Sequence, residues 1–83
     1  MKARVFVTLK PSVFDPQGRA IVEALHSLGY GQAGDVRQGK YFVLDLDVKT
    51  AAEARTLAAD IADKVLANPV IESFTVDVDE AQQ

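Results

Sequence analysis

The sequence predicts an α+β fold of order βαββαβ, a two-layer sandwich in which an antiparallel four-stranded sheet carries two helices on one face. Three observations predict it. Apolar and polar residues alternate in well-separated runs, two intervening stretches carry an apolar stripe at helical spacing with start and stop signals, and 83 residues hold material for one core only. With 48% hydrophobic and 25% charged residues the balance is that of an ordinary folded domain.

The first strand covers residues 3–10, where Val5, Val7 and Leu9 recur every second position and Arg4, Phe6, Thr8 and Lys10 take the other face. Asp15-Pro16 then starts a helix, the aspartate accepting free amide N–H groups and the proline preset at the first helical position. That helix runs to Leu28 with an inward stripe of Ile21, Ala24, Leu25 and Leu28, and Gly29 suits a left-handed stop after which Tyr30 packs back on Leu25. A short strand is expected over 35–38, and Gly39-Lys40 is placed to turn the chain into a hairpin. The return strand over 41–49 is the clearest alternating segment, with Phe42, Leu44, Leu46 and Val48 against Asp45, Asp47 and Lys49.

Thr50-Ala51-Ala52-Glu53 has the capping-box spacing that opens a second helix. Ala54, Leu57, Ala58, Ile61, Ala62 and Val65 form its inward stripe, and Asn68-Pro69 stops it. A last strand from Val70 to Asp79 sets Phe74, Val76 and Val78 on one face. The expected organisation is a single domain over 1–79 with a frayed tail over 80–83. Two similar strand–helix–strand halves most simply give a split βαβ sheet with one face bare, and exchange of strands between protomers stays open.

A net charge of −3 and a pI near 4.9 leave no overall positive field to gather phosphates, which disfavours a general nucleic-acid binder. Cysteine is absent, removing disulfides, thiol nucleophiles and cysteine metal sites together. The apolar run near the amino terminus is broken by Thr8, Lys10 and Pro11, too early for a signal-peptide core, so a cytoplasmic location is expected. A domain of this size buries only about 60–65% of the surface its unfolded chain exposes, which makes oligomerisation an expected source of stability.

On the bare sheet face, Phe6, Tyr41 and Val43 would form one apolar patch, each side chain contributing roughly 1.5–3 kcal/mol if covered, and we read it as a self-association or partner surface. His26 stands in the last turn of the first helix, where a cation meets the helix dipole favourably, and no second histidine could share a metal or a proton. Asp45, Asp47, Asp77 and Asp79 alternate with core residues, as a solvated strand face does. Gly29, Gly31 and Gly34 follow a helix rather than precede one, so they make no phosphate cradle. No catalytic residue, cofactor loop or metal-ligand set is expected.

Arg37 and Lys40, with Lys10 and Lys2 or Arg4 nearby, make the one local basic cluster, suited either to an acidic partner or a phosphate, or to an edge that resists aggregation. Gly39-Lys40-Tyr41-Phe42-Val43 superficially matches the aromatic strand motif of RNA-recognition domains, but the register puts Lys40 and Asp45 where stacking aromatics belong.

Taken together, Leu9-Lys10-Pro11, Asp15-Pro16-Gln17-Gly18, Leu28-Gly29-Tyr30, Val36-Arg37-Gln38-Gly39-Lys40 and Leu66-Ala67-Asn68-Pro69-Val70-Ile71-Glu72 resemble the PurS family in order and over nearly the whole chain. The resemblance implies a PurS-like, ferredoxin-like fold and the small, non-catalytic subunit of phosphoribosylformylglycinamidine (FGAM) synthase in purine biosynthesis. It implies as partners a glutaminase subunit that releases ammonia and a large synthetase subunit, with the small subunit bridging them and assisting ammonia transfer. ATP, Mg and glutamine would be used by those partners, with no cofactor in this chain, and the chain itself would be a dimer or tetramer. Of the matched motif residues, Asp15, Pro16, Asn68 and Pro69 have sufficient helix-boundary reasons, whereas Gln17, Arg37 and Lys40 have none and are the expected partner-subunit contacts.

Two readings from other classes share the topology. A small-molecule-binding regulatory domain of the ACT type would reveal itself by ligand-dependent stabilisation. An acylphosphatase-like enzyme would need a phosphate-binding loop with an arginine after the first strand, where this chain has Lys10-Pro11-Ser12.

Overall fold

Alternation along the first run builds β1 (Lys2–Leu9), whose Ala3, Val5 and Val7 are wholly buried. The other elements are α1 (Pro16–Ser27), β2 (Gly39–Asp45), α2 (Ala51–Ile61) continued by a π-helical turn (Ala62–Leu66), and β3 (Glu72–Val78). The structure is a computed structural model that describes residues 1–79, and the tail expected to be frayed, 80–83, lies outside the described residues. The architecture is α+β, an antiparallel sheet with two helices, as the alternation and the two stripes predict.

Among the described residues the sheet has three strands in the order β2-β1-β3. β1 is central, pairing antiparallel with β2 (Val5 opposite Phe42, Phe6 opposite Tyr41) and with β3 (Val5 opposite Val76, Phe6 opposite Thr75). The fourth strand expected over 35–38 does not form. Its last amide, on Gln38, is taken by the Asp15 carboxylate instead of a neighbouring strand. Gly39-Lys40 is likewise the start of β2 rather than a hairpin turn: a Cβ on Gly39 would run into the Val7 carbonyl oxygen, so close strand approach explains the glycine.

The core draws on β1, α2 with its π turn, and β3: Ala3, Val5, Val7, Ala54, Ala58, Ala62, Ala67 and Val78, flanked by half-buried Phe42, Leu44, Phe74 and Val76. Small alanines on α2 let the helix lie close to the valines of β1. The Thr50 hydroxyl caps α2 by accepting the Glu53 amide at 3.1 Å, as the capping-box spacing predicts.

α1 supplies no residue to this cluster. Its buried positions are Gly18 and Val22 with Leu25 half-buried, whereas Ile21, Ala24 and Leu28 of the expected inward stripe are exposed. An inward stripe requires α1 to lie on its own sheet, and that packing is what the molecule lacks. It is elongated, 49 × 29 × 14 Å. The helix ends as Gly29 predicts: with φ at 97° it closes a double turn in which Tyr30 donates to Leu25 O (2.9 Å) and Gly29 to His26 O (3.1 Å). His26 also reaches the Ala33 carbonyl through Nε2 at 2.7 Å, which ties the following loop back to the helix end.

Candidate functional site

The residues singled out for partner contact gather around one carboxylate. Asp15 is 7% exposed; its Oδ1 accepts the Gly18 amide and its Oδ2 the Gln38 amide, each at 2.9 Å. The first bond caps α1 and the second fastens the base of α1 to the entry of β2. These two amides, the Gly18 one first, hold the Asp15 carboxyl below its ordinary value of 3.8, with burial opposing and the Arg37 charge assisting.

Arg37 completes the clasp from the other side. Its Nη1 donates to Val13 O at 2.6 Å and its Nη2 to Pro11 O at 2.9 Å, so one planar fork strings the 11–13 loop to the segment leading into β2. Arg37 therefore has a structural reason for its identity that spacing does not reveal. Gly18 belongs to the same assembly, because a Cβ there would collide with the Val36 carbonyl oxygen.

Two small clefts flank Asp15. The first, about 240 Å³, is lined by Thr8, Asp15, Gln17, Gln38, Lys40 and Glu72. The second, about 210 Å³, lies between α1 and the 34–37 segment and includes Phe14, Arg19, Val22, Val36 and Arg37. The fold thus brings Gln17 and Lys40 to one cleft and sets Arg37 across Asp15 in the other. Lys40 Nζ lies 3.5 Å from Glu72 Oε2 and 3.4 Å from the Leu66 carbonyl, while the other Glu72 oxygen accepts the Asn68 amide at 2.7 Å. Glu72 was missed as a site residue; its place at the end of the matched Asn-Pro-Val-Ile-Glu run was the available signal.

The expected basic cluster is divided and largely neutralised. Arg37 lies 3.9 Å from Asp35, Lys40 pairs with Glu72, and Arg4 pairs with Asp77 at 3.2 Å on the sheet face. That face, opposite α2, carries the apolar patch as the alternation predicts. Phe6 and Tyr41 are cross-strand partners with ring centroids 5.0 Å apart, and Val43 stands opposite Arg4 one step along. They are 42%, 56% and 52% exposed respectively, a contiguous apolar strip in the open.

Among the described residues no group of three or more histidine, aspartate or glutamate side chains could hold a metal ion, and no helix is long and apolar enough to cross a membrane. What the surface offers is an aromatic strip on one sheet face and a polar, clasped corner at the end of the sheet.

Fold and surface together define a small α+β domain with an exposed apolar strip on one sheet face. The chain belongs to the PurS family, whose model, described as phosphoribosylformylglycinamidine (FGAM) synthase, matches residues 2–80. It is 44% identical over 79 residues to the phosphoribosylformylglycinamidine synthase subunit PurS of Bacillus subtilis, covering 95% of this chain and 93% of that one. The corresponding subunit of Mycobacterium leprae is 45% identical over 75 residues, 90% of this chain and 91% of that one. Among solved structures, PurS of Methanocaldococcus jannaschii superposes with a TM-score of 0.85 at 30% identity, covering 95% of each chain. A chain from the structure of PurLQS from Thermotoga maritima superposes with a TM-score of 0.83 at 25% identity, covering 92% of this chain and 93% of that one.

Proposed function

We propose that this chain is the non-catalytic small subunit of an FGAM synthase, joining a glutaminase subunit to a large synthetase subunit in the cytoplasm. In that reaction glutamine is hydrolysed to glutamate and ammonia. ATP phosphorylates the amide oxygen of formylglycinamide ribonucleotide, and ammonia displaces phosphate to leave the amidine, ADP and phosphate. ATP, Mg and glutamine belong to the partner subunits. The small subunit contributes surfaces that hold the two active sites in register, so that ammonia passes between them without escaping to water.

The observation that carries this reading is the near full-length match to PurS subunits, one of them from a structure named PurLQS. The surfaces are in keeping with it. The Phe6–Tyr41–Val43 strip serves self-association, and the corner formed by Gln17, Arg37 and Lys40 serves contact with the partner subunits, its geometry set by Asp15. A preorganised corner loses little freedom on docking, which favours affinity.

The test is assembly. Purified synthetase and glutaminase subunits are mixed with this chain and followed by sedimentation velocity. A species containing all three that dissolves when Lys40 and Gln17 are both replaced by alanine is expected. Failure of any species larger than the separate components to form would overturn the reading.

A further inference from the structure

We propose that the turn joining α2 to β3 is a preformed docking knob for the large synthetase subunit, with Val65 and Val70 as its apolar face and Lys40 as its charged edge. The proposal rests on the subunit reading and adds to it a surface that neither the aromatic strip nor Gln17 and Arg37 supply.

The π turn creates the knob. Ala54, Ala58 and Ala62 bury one flank of the helix, and at regular spacing Val65 would follow them inward, as the sequence stripe expects. Instead Ala67 donates to Ala62 O at 2.8 Å, a bond that reaches one residue further than in an α-helix. The wider turn gives the inward place to Leu66, which packs against the core, and rotates Val65 into the open. Val65 and Val70 are 76% and 78% exposed, the most exposed large apolar side chains among the described residues.

The backbone beneath them is tied. Asn68 Oδ1 accepts the Val70 amide at 3.0 Å, and Asn68 O accepts the amides of Ile71 at 3.1 Å and Glu72 at 2.7 Å. The Asn68 amide itself goes to Glu72 Oε1 at 2.7 Å, and Lys10 N, just beyond β1, holds Ile71 O at 2.8 Å. Valine is stiff at χ1. A tied turn carrying two stiff apolar side chains loses little freedom when covered, which suits a binding element rather than a spacer.

Lys40 says what covers it. Its Nζ lies 3.4 Å from Leu66 O and 3.5 Å from Glu72 Oε2, so the ammonium stands beside the turn. An ammonium has three donors, these acceptors take two, and the Lys40 side chain is 53% exposed. Lys64 and Asp60 pair with each other at 3.1 Å, and Asp63 lines the outer face of α2 with Glu53 and Thr56, which leaves Lys40 as the directing charge at the turn. The fitting surface is an apolar recess with a carboxylate or carbonyl at its rim. Lys40 also lines the cleft that holds Gln17, so knob and corner are continuous, and a concave surface that takes both together belongs to the larger partner.

Because the chain has no cysteine, Val70→Cys gives a single thiol for a benzophenone label. Irradiated in a mixture of synthetase, glutaminase and this chain, the label is expected to attach to the synthetase. Attachment to the glutaminase or to a second copy would overturn the proposal, and so would no attachment within an assembly that sedimentation shows to have formed. Val65→Ser/Val70→Ser is expected to weaken assembly about tenfold or more. Its Tm and the mass of the free chain should stay unchanged, because both side chains already stand in water. Undiminished assembly, or a smaller free chain, contradicts the knob. The loss caused by Lys40→Ala should shrink at high salt while the serine loss persists, and equal salt responses would remove Lys40 as the charged edge. Absence of any assembly with the unsubstituted chain would overturn the subunit reading and the knob with it, whereas a serine variant that assembles normally overturns the knob alone.

Discussion

Asp15 reaches across 23 positions of sequence to accept the amide of Gln38 at 2.9 Å, and in doing so replaces a strand–strand bond with a side-chain clasp. Its other oxygen caps α1 at Gly18. Both bonds require the ionised carboxylate to accept twice, which gives them a pH dependence of definite sign. A carboxylate held below its ordinary value of 3.8 in the folded state contributes stability that is present above that value and is lost as pH falls through the lower folded one. Asp15→Asn, which replaces one of the two accepting oxygens by an NH2 donor, is expected to lower Tm at neutral pH. The gap from the unsubstituted chain should narrow as pH is taken from neutral to below 3.8. A gap that stays constant in calorimetry across that range would show that the clasp is not ionic.

Gly18→Ala tests the close approach of α1 to the segment before β2. The Cβ would meet a backbone carbonyl, which cannot swing aside as a side chain can. Overpacking of this kind destabilises by about 1–3 kcal/mol, despite the gain in helix propensity that alanine ordinarily brings. Urea denaturation showing equal or greater stability would mean that α1 rides freely over Val36.

Phe6→Asp places a charge in the centre of the exposed strip beside Tyr41. If the strip is a contact between copies, this removes an apolar side chain worth roughly 1.5–3 kcal/mol per site and buries an unpaired charge as well. Light scattering is expected to show a smaller assembly than that of the unsubstituted chain. An unchanged mass would assign the strip to a partner subunit or to solvent.

Arg37 and Lys40 should separate by mechanism. Arg37→Ala frees two backbone carbonyls and is expected to lower stability by about 1.5 kcal/mol, and Arg37→Lys should not restore it because an ammonium cannot span both acceptors. Lys40→Ala removes a half-exposed pair with Glu72 and should change stability by less than about 1 kcal/mol. Its expected effect is weaker association with the partner subunits. Equal stability losses in thermal melts would remove the distinction.

The elements themselves were legible because their signals are local. The stop at Gly29, the cap at Thr50 and the alternation around Val5 each depend on neighbours within a few residues. Placement was less legible. Helical spacing identified an apolar stripe on α1 but could not say which sheet would cover it, so Ile21 and Leu28 were assigned inward and stand exposed. Gly39 looked like a turn glycine and serves close strand packing instead. The strip of Phe6, Tyr41 and Val43 was readable because strand period fixes the face once β1 and β2 pair. Arg37 was singled out for lack of a structural reason, and its two carbonyl partners lie 24 and 26 positions away, a separation no local pattern encodes.

The role proposed for this chain is to couple ammonia release to ammonia use. Its most direct test is FGAM and ADP formation by the purified synthetase and glutaminase subunits, with and without this chain, using either glutamine or added ammonium as the nitrogen source. Glutamine-dependent turnover is expected to require the chain, while ammonium-dependent turnover should depend on it far less. Glutamine-dependent turnover that proceeds equally well without the chain would contradict it.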